Sequence, residues 1–290
     1  MTGGAVVEQV TLGDHVCWTY DDDADALDAV ARFVVTGLRL GQKVLCLLDA
    51  LEPAAVVAAV RSAGGPPDAA RADGRLRILP AVEVHRDGGR SASDATVATL
   101  AVEIARAHRE GHSGLRLVSD MAWASRDGTP LAELRRYEAA MNALFPAGRA
   151  AALCLYDRRL FPADRWRAVA AVHPATAGPG ADRAWVPLLR AYRTADPPGL
   201  RLVGQIDWSN REALGAMLTG LAGPTPSGRP AVLDVSDVSF ADVAAASALL
   251  DAERTSAPNG LRLVGCRPVV RRLLDLVRDT GFAHTVGQPA

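Results

Sequence analysis

From His15 onward the chain alternates short, almost wholly apolar runs with longer stretches whose apolar positions recur at helical spacing. The runs 15–20, 44–48, 76–79, 115–118 and 150–156 predict strands buried on both faces. Between them, 25–40, 53–63, 94–109, 131–145 and 163–172 predict helices, the second stopped by Gly64-Gly65-Pro66-Pro67. Residues 82–93 read as a polar loop that could fold over a site, and 1–12 as a loose leader. Strict alternation of strand and helix predicts an α/β domain with a mostly parallel sheet covered on both faces.

The pattern then changes. Proline-bearing clusters bracket one short amphipathic patch, Trp185 to Tyr192, and residues 176–198 read as a Pro/Gly-rich linker carrying at most a docking strand or helix. Beyond it, strands at 200–204, 231–235 and 261–264 alternate with helices at 210–221, 243–257 and 268–278, a second and smaller α/β domain. The expected division is therefore 1–175, linker 176–198, and 199–290.

Open parallel sheets bind ligands outside the carboxyl ends of their strands. The first strand-to-helix turn, in GDHVCWTYDDDADALDAV, should lie there. Phosphate binding at such a turn needs glycines, exposed backbone N–H groups and a lysine. Here it holds Asp21, Asp22, Asp23 and Asp25, which suit a helix N-terminus and repel a polyphosphate. The expectation is a nucleotide-binding architecture with its phosphate cradle replaced.

Charge adds little: a formal net charge of −1 gives no reason to expect a nucleic-acid or anionic-membrane partner. Cys17, Cys46, Cys154 and Cys266 sit in or beside apolar runs at long, unequal spacings, as buried free thiols of a reducing compartment do. With no leader of secretory type and no apolar run near the ~20 residues of a membrane span, a cytoplasmic protein is expected.

Several longer segments carry a resemblance. GDHVCWTYDDDADAL, TGLRLGQKVLCLLD, LVSDMAWA, RRYEAAMNALF and LCLYDRRLFP, followed by His173-Pro174, resemble the MEDS family, the sensory domain of methanogens and methylotrophs, over about residues 10 to 175. That family is similar to the KaiC and RecA group of ATPase folds. The resemblance implies a degenerate RecA/KaiC-like domain that binds a small molecule or partner without hydrolysing ATP. The acid ending the 115–118 run, Asp120, would be a Walker-B-like remnant.

The second domain resembles STAS domains, the module of anti-sigma-factor antagonists, in LRLVGQIDWSNREALGAML, AVLDVSDVSFADVAAASALLDA and GLRLVGCRPVVRRLLDLVRDTGF. Those domains usually carry Asp-Ser-Ser-Gly after the central strand, with a serine that a partner kinase phosphorylates. Here the turn is Asp242-Val243-Ala244-Ala245, with no acceptor hydroxyl.

Tyr20, Asp21, Asp120, Trp123, Tyr156 and Asp157 all fall at or just past predicted strand ends and are expected to line one ligand-binding rim. His15 and Cys17 on the first strand join this candidate set. A metal or haem ligand set drawn from His15, Cys17 and Thr19 with Cys46 on a neighbouring strand lacks a matched spacing, so none is expected. Asp242, Val243, Ala244 and Ser247 are the candidate docking residues. The function implied is a non-catalytic regulator whose partners are an anti-sigma factor or related protein and a small molecule, with self-association left open and no cofactor named. The alternative is an enzyme or residual nucleotide binder using the acidic rim.

Overall fold

Six consecutive residues, His15–Tyr20, are all buried, as a strand covered on both faces requires. This is β1. Asp22 ends it and caps α1 (Asp23–Arg39), its side chain accepting the Ala24 backbone N–H at 2.8 Å. Past α1, Gly41 at φ +70° turns the chain into β2 (Lys43–Leu48). There follow α2 (Pro53–Ser62), α3 (Pro67–Ala72), β3 (Leu76–Pro80), α4 (Arg90–Arg109), β4 (Leu115–Asp120), α5 (Ala122–Arg126), α6 (Leu131–Met141), β5 (Ala150–Asp157), α7 (Ala163–Ala170) and β6 (Ala175–Ala177). The second part holds β7 (Leu189–Ala195), β8 (Pro198–Ile206), α8 (Arg211–Thr219), β9 (Ala231–Ala241), α9 (Val243–Thr255), β10 (Leu261–Val264) and α10 (Pro268–Thr280). The computed structural model describes residues 3–85, 90–126, 128–182, 184–219, 221, 230–255 and 260–280. The expected loop 82–93 lies partly outside the described residues, as does the chain beyond 280.

The chain forms two units, Met1–Pro187 and Leu188–Ala290. In the first, six strands form one parallel sheet in the order β3-β2-β4-β5-β1-β6. Alternation along β1 sends Val16, Trp18 and Tyr20 to a core shared with α1, α2 and α3, and Cys17 to a second core shared with α4, α6 and α7. The first core encloses an arginine. Arg116 on β4 donates from Nη2 to the Val10 carbonyl at 2.7 Å and from Nε to Gln42 Oε1 at 2.6 Å, its guanidinium over the Phe33 ring at 4.4 Å. Gly37 of α1 makes room for it: a Cβ there would lie 2.6 Å from Arg116 Cδ.

The linker expected at 176–198 is corrected. Its start belongs to β6, and 189–195 is the edge strand β7, antiparallel to β8 from Leu189↔Gly204 to Ala195↔Pro198. Buried Leu189 and Ala191 alternate with more exposed Arg190 and Tyr192, the signature of a half-buried strand, and the prolines only bound it. At Gly204, φ +110°, the register of β8 shifts against β9, and a Cβ would lie 2.1 Å from the Leu188 carbonyl oxygen.

The second sheet has the order β10-β9-β8-β7, with β8, β9 and β10 parallel. One core joins it to α8, α9 and α10. Among the described residues no helix is long and apolar enough to cross a membrane.

Candidate functional site

The carboxyl edge of the first sheet is where the sequence places a rim. Register puts Tyr20 beside Asp157. The acids there are already partnered: Asp21 pairs with Arg158, Asp23 with Arg159, and Asp157 receives the Arg159 guanidinium at 2.6 Å and its backbone N–H at 2.8 Å. Arg159 also sits 5.9 Å over the Tyr20 ring. Burial, then the charges of Asp120 and Asp157, pushes the Tyr20 phenol far up, so it stays neutral. The rim is a set of ion pairs that closes the strand ends, rather than a ring of free carboxylates.

Asp120 serves the backbone. Its Oδ2 accepts N–H bonds from Asp49, Ala50 and Leu51 at 3.0, 2.7 and 2.9 Å, and its Oδ1 accepts one from Ala122 at 3.1 Å. A carboxylate accepting four amides holds the β2–α2 turn. Trp123 is also placed differently from the expectation. It belongs to α5 and stacks on His85 with ring centroids 4.4 Å apart.

Burial shifts the His85 imidazole down to about 4. An unfolded histidine titrates near ~6.5. Between those values the unfolded chain binds a proton that the folded chain refuses, so stability falls as the pH drops through that window. The expected loss on going from about pH 7 to about pH 4.5 is ~2–3 kcal/mol from this residue. His85→Phe, which keeps the stack, should lose that much less than wild type in urea denaturation at the two pH values. Equal losses would refute the assignment.

The more unusual chemistry lies on the other side of the sheet. His15 stands five residues before Tyr20 in β1, which at ~3.3 Å per residue puts it about 17 Å from the rim. Beside it on β5 is Cys154, and α6 brings Glu138 and Asn142 onto the same face. His173, just before β6, completes the group. His15, Glu138, Cys154 and His173 are each at most 1% exposed, and one donor atom from each lies within 4.8 Å of all the others.

His15 Nε2 is 3.3 Å from Cys154 Sγ and 3.4 Å from Glu138 Oε2. His173 Nε2 is 3.4 Å from the same Oε2, and Cys154 Sγ is 3.9 Å from it. Tyr156 Oη donates to the other oxygen, Oε1. Burial most strongly opposes ionisation of Glu138, yet His173 and His15 together hold its carboxyl below the usual range. Burial, with His173 next, pushes His15 down, and burial pushes the Cys154 thiol up.

Of the expected ligand residues, Tyr20, Asp21 and Asp157 thus meet at the rim, while His15 and Tyr156 meet at the buried cluster. Cys17 is buried beside Cys154 in register and lies outside the group of four donors. Cys46 packs in the opposite core. Glu138, Asn142, Cys154 and His173 were not expected as a site. One signal was present: Leu134, Glu138, Met141 and Phe145 recur at core spacing, so a carboxylate occupies an apolar position of the helix pattern.

Residues 14–174 match the family model described as MEDS: MEthanogen/methylotroph, DcmR Sensory domain. The chain belongs to this family. All four cluster residues fall inside the MEDS match, with His15 and His173 close to its two ends. Residues 189–284 match the model described as Mlab, STAS domain. A comparison with curated proteins found none that matches the chain. A MEDS sensory domain with a STAS domain makes this a regulatory signalling protein.

In the STAS unit, Asp242 caps α9, accepting the Ala245 N–H at 2.7 Å. Val243 is 44% exposed and Ala244 half-buried. Ser247, expected among the docking residues, is buried, its hydroxyl donating to the Val243 carbonyl at 3.0 Å. Trp208 and Phe240, 73% and 49% exposed, stand with Val243 at the sheet edge where Ile206 pairs with Ala241.

Proposed function

We propose that the protein is a non-catalytic cytoplasmic regulator in which the MEDS unit responds to a small molecule or partner and the STAS unit docks on an anti-sigma factor or related regulator. The observation that carries this is the edge at the start of α9. Asp242 is committed to capping, Val243 and Ala244 offer no hydroxyl, and Trp208, Phe240 and Val243 are each exposed within two residues of the Ile206↔Ala241 pair. Exposed aromatics at one edge suit an apolar docking contact, and charge switching by phosphorylation has no acceptor at this turn. The enzyme alternative draws no support from the rim, where Asp21, Asp23 and Asp157 face their own arginines and Asp120 faces four amides.

The test is binding of the purified full chain to a panel of purified anti-sigma factors, with intact-mass analysis of the complex and an ATP turnover assay of the chain alone. One panel member should bind the unphosphorylated chain. Val243→Arg should weaken that complex by about 30-fold or more, the size of a hot-spot loss of ~2 kcal/mol. Measurable ATP turnover, or a complex indifferent to both Val243→Arg and Trp208→Ala, would overturn the proposal.

A further inference from the structure

We propose that His15, Glu138, Cys154 and His173 form a closed binding site for a divalent transition-metal ion of the zinc class. The inference is independent of the signalling function proposed above, and rests on the directions of the lone pairs. Asn142 Nδ2 donates to the carbonyls of Glu138 and Val172 at 3.3 and 2.8 Å. Its Oδ1 therefore faces His15 Nδ1, 2.9 Å away, and must accept from it. His173 Nδ1 is 3.0 Å from the Val169 carbonyl, another pure acceptor. Both histidines thus carry a proton on Nδ1, and in the neutral form each turns the lone pair of Nε2 inward. Carbonyl groups that fix the outer nitrogen of a histidine in this way are the usual support of a metal-ligating imidazole.

Inward, the two Nε2 lone pairs meet the Glu138 carboxylate and the Cys154 sulfur. Tyr156 Oη holds Oε1, leaving Oε2 as the oxygen that faces both rings. His173 Nε2 is buried and has no hydrogen-bond partner among the described residues. Four electron-pair donors converging on one buried point repel one another unless protons or a metal cation stand between them. Without an ion two protons fill this role, the Cys154 thiol donating to His15 Nε2 and a protonated Glu138 Oε2 to His173 Nε2, and a divalent ion would displace both. A divalent ion balances the charges, since two neutral imidazoles, one carboxylate and one thiolate sum with it to zero.

The donor types select the ion, and the distances suit it once the donors close in. Tetrahedral zinc bonds of ~2.0–2.3 Å imply donor–donor edges of about 3.3–3.8 Å. Four of the six donor–donor separations here are 3.3, 3.4, 3.4 and 3.9 Å, and the other two, both to His173 Nε2, lie within 4.8 Å. The nitrogen and sulfur donors exclude magnesium and calcium, which take oxygen. With four protein ligands and no open position, the site is of the structural kind. It would tie together β1, β5, α6 and the segment leading into β6, which only tertiary folding brings to one place.

The test uses the full chain, purified without chelator from zinc-supplemented medium, with metal content read by mass spectrometry. About one zinc per chain is expected, falling at least ~10-fold in both His173→Gln and Cys154→Ser and unchanged in Cys17→Ser, whose thiol lies next to Cys154 in register but outside the donor set. Cobalt substitution of the wild type should give the intense thiolate charge-transfer and tetrahedral ligand-field absorption, and Cys154→Ser should lose the charge-transfer band alone or bind no cobalt. Circular dichroism separates loss of metal from loss of fold. Should His173→Gln fail to fold, the cobalt spectra of wild type and Cys154→Ser decide. Wild-type protein that carries no stoichiometric metal and takes up neither zinc nor cobalt on refolding overturns the site, as does metal retained in full by both ligand variants. Because metal content needs no partner, a failure here leaves the docking proposal standing, and a failure of docking leaves this one.

Discussion

Replacing Asp120 by alanine is expected to destabilise the MEDS unit by about 3 kcal/mol or more. Hydrogen bonds to a charged group contribute roughly 1.5–3 kcal/mol each, and this carboxylate accepts four, from Asp49, Ala50, Leu51 and Ala122. Water can reach Ala50, which is exposed, and will recover part of the loss there; it cannot reach Leu51 or Ala122, which are buried. Asp120→Asn keeps one acceptor oxygen but sets an N–H donor against either the Ala122 amide or the three amides of the β2–α2 turn, so an intermediate loss is expected. Urea denaturation followed by tryptophan fluorescence measures both. If Asp120→Ala is within ~0.5 kcal/mol of wild type, the amide nest does not hold the turn, and a ligand role for this acid regains its standing.

Arg116→Ala should be at least as damaging, at about 3–5 kcal/mol. Three costs coincide: a large buried cavity beside Phe33 and Gly37, an orphaned Val10 carbonyl, and an orphaned Gln42 amide oxygen. Burial lowers the guanidinium to about 10, opposed by the charge of Asp14, so it remains a cation at neutral pH. Arg116→Met separates the contributions. It refills most of the volume and leaves the two acceptors unpaired, so a loss of about half the alanine value is expected. Equal stability of the methionine variant and wild type would mean that the hydrogen bonds to Val10 and Gln42 contribute nothing, and that packing alone maintains this part of the core.

Both residues show where reading the chain as text stops short. Asp120 ends an apolar strand, and an acid at such a position suggests a ligand site. What distinguishes a ligand acid from a capping acid is which backbone amides come within about 3 Å of it, and these belong to a turn some seventy residues earlier. Arg116 is a charge inside an apolar run of GLRLVSD, and it is accommodated wholly buried because Gly37, Gln42 and the carbonyl of Val10 form its socket.

Periodicity, by contrast, is local. The alternation of buried runs with amphipathic helices was sufficient to place all five longer strands of the first sheet and the helices between them, missing the short α3 and α5 and the three-residue β6. It also located the second unit, although β8 and β9 extend beyond the runs expected of them. β7 was hidden because prolines on both sides of 189–195 resemble a linker until the antiparallel partner is known.

What the chain determined by itself, then, is its two α/β units, their family resemblance, and the missing hydroxyl after Asp242, since each depends on neighbours within about one element of sequence. The tertiary structure alone decided that the acidic rim is closed by Arg158 and Arg159, and that His15 looks toward Glu138, Cys154 and His173 rather than toward Tyr20. The reason is geometric. Parallel pairing and helix crossovers set side by side residues more than a hundred positions apart, and the direction in which a side chain leaves a strand, which decides its chemistry, changes with every single residue.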